Sequence, residues 1–178
     1  GADVTEDGRA LIKDGVFLAF ATGGYEDYEY TVPEGVHTIG DKAFQYATFG
    51  LVNLPSTLKE IGKSAFLSSG LYEVDMPSSV TKIGEDAFAY SMLSFVAIPA
   101  SVQDLGESVF RGCENMNHAA VNCDMVSFAL FSECTALEKV EINGSPISIP
   151  DKTFSQCESL VSVNLPETVM EIGYRAFY

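Results

Sequence analysis

Apolar residues along this chain recur on a beat of about 22 positions. Pro33, Pro55, Pro77 and Pro99 are spaced by 22. Asn122 and Asn143 stand at the equivalent place in the next two copies, and Pro166 restores the proline. Phe44, Phe66, Phe88, Phe110, Phe131, Phe154 and Phe177 keep the same interval. Self-similarity at a period of this length marks a solenoid, in which each repeat buries its apolar face only against its neighbours.

Upstream of each proline position the apolar residues alternate, as in Val74 and Met76, Val96 and Ile98, or Val163 and Leu165, with Leu71, Leu93 and Leu160 slightly earlier. Alternation of period two predicts a short strand with one buried and one exposed face. The proline removes a backbone donor and ends it. An aliphatic residue follows (Val36, Leu58, Val80, Val102, Met125, Val169), and then a pair: Ile39-Gly40, Ile61-Gly62, Ile83-Gly84, Leu105-Gly106 and Ile172-Gly173, with Val126-Ser127 and Ile149-Pro150 as irregular copies. The pair predicts a glycine-permitted turn into one helical or 3₁₀ turn, which delivers the phenylalanine to the core behind a small residue. Successive strands joined by such a return lie parallel. The predicted fold is a right-handed repeat solenoid, with a parallel β-ladder on one face and short helical or 3₁₀ turns on the other. Seven rungs at about 4.8 Å each would extend it by roughly 30 Å.

The pattern L-x-x-V-x-[LIM]-P-x-x-V-x-x-I-G-x-x-A-F-x-x-[CS] resembles the BspA-type leucine-rich repeat of bacterial surface and secreted proteins, and it covers residues 28–178 in seven copies. The preceding stretch, Gly8 to Phe20 with Lys13-Asp14-Gly15 as its turn, looks like the hairpin that precedes such arrays, so residues 1–27 are expected to form an N-terminal hairpin cap. The last repeat stops at Ala176-Phe177-Tyr178, short of its closing residues. That predicts a frayed end, a truncated chain or an end-to-end self-contact.

Charge narrows the function classes. Lys and Arg total 10 against 25 Asp and Glu, a net charge of −15, which repels phosphate backbones and anionic membranes alike. Nucleic acid is therefore excluded as the expected partner. No run approaches the roughly 20 apolar residues of a spanning helix, and the opening residues lack the basic and apolar regions of a signal segment.

Chemistry-bearing residues follow the repeat. Cys113, Cys134 and Cys157 stand three places after the rung phenylalanine, where other copies have Ala47, Ser69 and Ser91. They are expected to be small core side chains, although neighbouring rungs are close enough for a disulfide between Cys113 and Cys134. Cys123 lies off that row. No Cys-x-x-Cys pair, phosphate loop or H-E-x-x-H motif occurs. His37 and His118 fall on different parts of the repeat with no facing nucleophile, so no catalytic, metal or cofactor site is predicted. Glu73 and Asp75, next to Asn53, offer oxygen ligands but too few for a calcium site.

What remains is the outward face of the ladder. Its residues are Glu29 and Thr31, Leu51 and Asn53, Glu73 and Asp75, Phe95 and Ala97, His118 and Ala120, Lys139 and Glu141, Ser162 and Asn164, with Tyr28 and Tyr72 at the strand entrances. Large apolar groups on a face that should be solvated mark an interaction surface. Tyr28, Leu51, Tyr72, Glu73, Asp75, Phe95, His118, Lys139 and Glu141 are the candidates. The resemblance implies a non-enzymatic protein–protein interaction module of a secreted or cell-surface bacterial protein. Adhesion or host interaction would then occur through that face, with an extracellular protein or matrix component as partner. The alternatives are a structural spacer or stalk without a ligand, and more remotely an enzyme fragment.

Overall fold

The computed structural model describes residues 2–21 and 28–178. Its N-terminal elements are β1 (Asp3–Val4), β2 (Ala10–Lys13) and β3 (Val16–Phe20), paired antiparallel in that order. Asp14 and Gly15 close the hairpin between β2 and β3 with φ of 50° and 75°. His37 braces that turn from the next rung, its Nε2 lying 3.0 Å from the Asp14 carbonyl.

The predicted ladder is present. It comprises β4 (Glu29–Thr31), β6 (Leu51–Asn53), β8 (Glu73–Val74), β10 (Phe95–Ile98), β12 (His118–Val121), β13 (Lys139–Ile142) and β15 (Ser162–Asn164). All its pairings are parallel, and the repeat positions stay in register: Phe95, His118, Lys139 and Ser162 stand side by side. Between β8 and β10 the step is carried by the Ser94 amide, which donates to the Tyr72 carbonyl at 3.1 Å. The inward residues Tyr30, Val52, Val74, Val96, Ala119 and Val140 are all buried.

A second parallel ladder stands where the sequence predicted only a turn. The aliphatic residue of each pair ends a two-residue strand: β5 (Thr38–Ile39), β7 (Glu60–Ile61), β9 (Lys82–Ile83) and β11 (Asp104–Leu105), then, after a break at the irregular Val126-Ser127 copy, β14 (Ser148–Ile149) and β16 (Glu171–Ile172). Strand β3 joins this ladder parallel to β5, so the hairpin forms the first course of the stack.

The glycines that follow these strands act through space and not through conformation. A Cβ on Gly84 would lie 2.6 Å from the Lys63 amide nitrogen and 2.7 Å from the Gly62 carbonyl carbon of the rung below. Left-handed conformations fall instead on ordinary residues two places before each phenylalanine, from Lys42 (58°) through Asp86 (54°) and Ser108 (56°) to Arg175 (53°). A second set lies two places after it, including Tyr46 (62°), Tyr90 (57°) and Glu133 (65°).

These reversals replace the predicted helical turn, and no helical residue occurs among those described. Alternate amides are thereby aimed along the stack. The Lys42, Phe44 and Tyr46 amides donate to the Lys63, Ala65 and Leu67 carbonyls of the next rung, while the Ala43, Gln45 and Ala47 amides close turns onto Gly40, Lys42 and Phe44. The return segment thus satisfies its buried polar backbone as a third ladder.

The phenylalanines form one column in the core. From Phe17 through Phe44, Phe66, Phe88, Phe110, Phe131 and Phe154 to Phe177, neighbouring centroids are 4.4 to 5.9 Å apart. Cys113, Cys134 and Cys157 are free thiols whose Sγ atoms donate to the Phe88, Phe110 and Phe131 carbonyls. At the last rung the core positions lie open: Ile172 is 53% exposed, whereas its counterpart Ile83 is fully buried.

Adding a methyl at Gly84 must therefore push two rungs apart. Gly84→Ala is expected to lower unfolding free energy by about 1–3 kcal/mol, as overpacking does. Ser108→Gly relieves a left-handed residue and should leave stability unchanged or raise it by up to about 1 kcal/mol. Urea unfolding followed by far-UV circular dichroism measures both; a Gly84→Ala protein as stable as its parent would contradict the contact.

Candidate functional site

The outward positions of the first ladder form a continuous face. Glu29, Thr31, Asn53, Glu73, Asp75, Phe95 and Lys139 are exposed, and Leu51, His118 and Glu141 are half-buried. Strand alternation requires this, because the neighbours of each residue along the strand point into the core.

Two aromatic groupings stand on the face. Tyr28 and Tyr72 meet with ring centroids 5.6 Å apart although a whole rung separates them. Gly50 occupies the intervening rung, and a Cβ there would come within 2.8 Å of the Tyr72 ring and 2.9 Å of the Tyr28 ring. The glycine is thus the gap across which the tyrosines close. A hydrogen bond to Tyr72, with desolvation and the nearby Glu73 charge, pushes the Tyr28 phenol up to about 12. Nothing in the register singled out Gly50, yet its position between two tyrosines at the same repeat place was a readable signal.

The second grouping is Phe95 with His118, an edge-to-face pair at 5.5 Å and 70°. Phe95 leans on its neighbouring rung and still leaves 44% of itself exposed. His118 Nε2 lies 3.9 Å from Glu141 Oε1. That carboxylate is already engaged by Lys139, which holds its pKa below the ordinary glutamate value.

Charge is distributed unevenly around the solenoid. On the second ladder Lys82 sits between Glu60 at 3.2 Å and Asp104 at 3.6 Å, and Lys63 meets Glu85 at 2.7 Å. On the return side Arg111 holds Glu133 at 2.7 Å, with Tyr90 donating its hydroxyl to the same carboxylate. Among the described residues, Glu73 and Asp75 are in no ion pair. Asn53 turns its amide nitrogen to Glu29 and Thr31 and away from these acids. No group of three or more His, Cys, Asp or Glu is placed to hold a metal among the described residues.

Two open depressions adjoin on this face. One, of about 480 Å³, is lined by Glu34, Leu51, Asn53, Glu73 and Asp75; the other, of about 370 Å³, by Glu73, Asp75, Phe95 and Ala97. Glu34, which turns to Ser56 at the rim, was not singled out by the sequence because it lies beyond the proline and off the strand. The structure brings Tyr28, Leu51, Tyr72, Glu73, Asp75 and Phe95 onto one stretch of surface and places His118, Lys139 and Glu141 on the stretch that follows. His37 takes no part.

A family model described as BspA type leucine rich repeat region matches this chain in six copies over residues 28–129 and 124–178. No curated protein matches it. Among solved structures, a leucine-rich repeat protein from Bacteroides ovatus is similar at 29% identity and a TM-score of 0.67, over 85% of this chain and 46% of its own. The leucine-rich repeat protein of T. pallidum is similar at 25% identity and a TM-score of 0.73, over 97% and 82%. A leucine rich cell surface protein from Faecalibacterium prausnitzii shares the fold at 22% identity and a TM-score of 0.61, over 97% of this chain and 37% of its own. The chain thus spans less than half the length of two of these three relatives.

The tyrosine pair gives a direct spectroscopic check. Tyr28 should ionise near 12 in the native protein, and Tyr72→Phe should return it toward the ordinary tyrosine value of about 10. Absorbance at the phenolate band during a pH titration reads the change; an unaltered high-pH transition in Tyr72→Phe would show that the pair does not hold the proton.

Proposed function

Because this chain belongs to the BspA type leucine rich repeat family, we propose that it is a non-enzymatic interaction module of a secreted or cell-surface bacterial protein. Its contact surface is the outward face of the first ladder, and its partner is an extracellular protein or a surface component. The observation that carries this reading is Phe95, a large aromatic group left 44% exposed beside unpaired carboxylates on a strand face that is mostly polar. Exposed aromatics of this kind supply the anchors of protein interfaces. Stacked repeats present extended surfaces suited to such contacts. The description of the Faecalibacterium protein as a cell surface protein is in keeping with the localisation.

The reading is tested on an array of purified extracellular and matrix proteins. Phe95→Ala should leave the melting temperature unchanged, since the side chain lies outside the core, and weaken the retained partner by about tenfold, a cost of about 1.4 kcal/mol. Partners held equally well by Phe95→Ala, or none held at all, would sink the proposal.

A further inference from the structure

We infer that the N-terminal part of this face, from Glu29 to Phe95, is built for an extended arginine-bearing segment of a partner protein; this refinement rests on the interaction reading above. The outward residues of β4, β6, β8 and β10, with Asp75 just past β8, include the three carboxylates Glu29, Glu73 and Asp75 and no Lys, Arg or His. Off this face several stacked charges neutralise one another: Lys82 between Glu60 and Asp104, Lys63 with Glu85, Arg111 with Glu133. The contrast continues within the first ladder, where Glu141 is matched by Lys139. An uncompensated stretch ends where the compensated one begins, just past Phe95.

Geometry favours arginine over a simple cation. The Ser94-to-Tyr72 hydrogen bond sets Phe95 beside Glu73 on the neighbouring rung, at a strand spacing of about 4.8 Å. A guanidinium lying on the exposed Phe95 ring would therefore have the Glu73 carboxylate within reach at its edge. Guanidinium is planar and weakly hydrated, so it stacks on aromatic faces while its fork of donors engages a carboxylate; the lysine ammonium is a strongly hydrated point charge. The two depressions of about 480 and 370 Å³ share Glu73 and Asp75 and so adjoin across successive rungs. Adjoining open depressions suit an extended chain better than an enclosed small molecule.

Fluorescence anisotropy with labelled eight-residue peptides tests this, using alternating Arg and Ser, Lys and Ser, or Gln and Ser. The Arg peptide should bind, the Lys peptide about fivefold more weakly and the Gln peptide not at all. Glu73→Gln combined with Asp75→Asn should weaken the Arg peptide by about tenfold and flatten its salt dependence. Phe95→Ala should erase the preference for Arg over Lys. Glu107→Gln, an exposed acid off this face, should change nothing. Equal binding of the Arg and Lys peptides, or a double variant no weaker than Glu107→Gln, overturns the inference. If an array partner depends on Phe95 while the Arg preference is missing, the arginine assignment fails and the interaction reading stands; a partner indifferent to Phe95 removes both.

Discussion

Each rung of this protein is held to the next by a phenylalanine ring stacked on another phenylalanine ring. Four consecutive pairs from Phe66 to Phe154 lie within 14° of parallel, with centroids 5.0 to 5.9 Å apart. Isolated aromatic pairs adopt offset or edge-to-face arrangements as readily. Here the parallel form is imposed, because three backbone ladders translate each residue onto its counterpart at a strand spacing of about 4.8 Å. Where the translation ends the geometry relaxes: Phe154 and Phe177 are tilted by 31°, and Phe20 meets Phe49 almost at a right angle.

The same translation dictates what may stand at each position. A side chain that repeats must tolerate its own copy directly above it. Glycine satisfies this beside the aliphatic strand residue, where a Cβ on Gly62 would come within 2.7 Å of the Asp41 amide nitrogen. Hydroxyls satisfy it by reaching down one rung, as Ser79 and Ser101 do to the Leu58 and Val80 carbonyls at 2.6 Å. Charges satisfy it best by alternating, since like charges directly opposite repel. Glu60, Lys82 and Asp104 do so on the second ladder.

How far the sequence could be read follows from which constraint left a residue-type signature. The inward and outward positions of the first ladder were legible because alternation of period two is written in Val74, Met76, Val96 and Ile98. The second ladder was not, because a strand of two residues such as Thr38–Ile39 is too short to alternate. The left-handed residues were also hidden. Lys42, Ser64, Asp86, Ala129 and Lys152 share no chemistry; the inter-rung hydrogen bonds hold them in that conformation despite their type. Glycine was expected where a turn needed it, and it stands where a neighbouring backbone leaves no room. At the surface, the candidate residues could be named but not grouped: that Gly50 lets Tyr28 and Tyr72 meet depends on a contact across two rungs.

The register also explains why the outward face is where side chains can differ from one rung to the next. Positions in the core are fixed by what must stack on them, so Phe88 cannot change without disturbing both Phe66 and Phe110. An outward residue of the first ladder meets its counterparts only at its edges and is otherwise free. The sequence uses that freedom unevenly: Leu51, Glu73, Phe95, His118 and Lys139 occupy one repeat position with five different chemistries. A column that architecture does not constrain can therefore carry varied side chains at least cost to the stack.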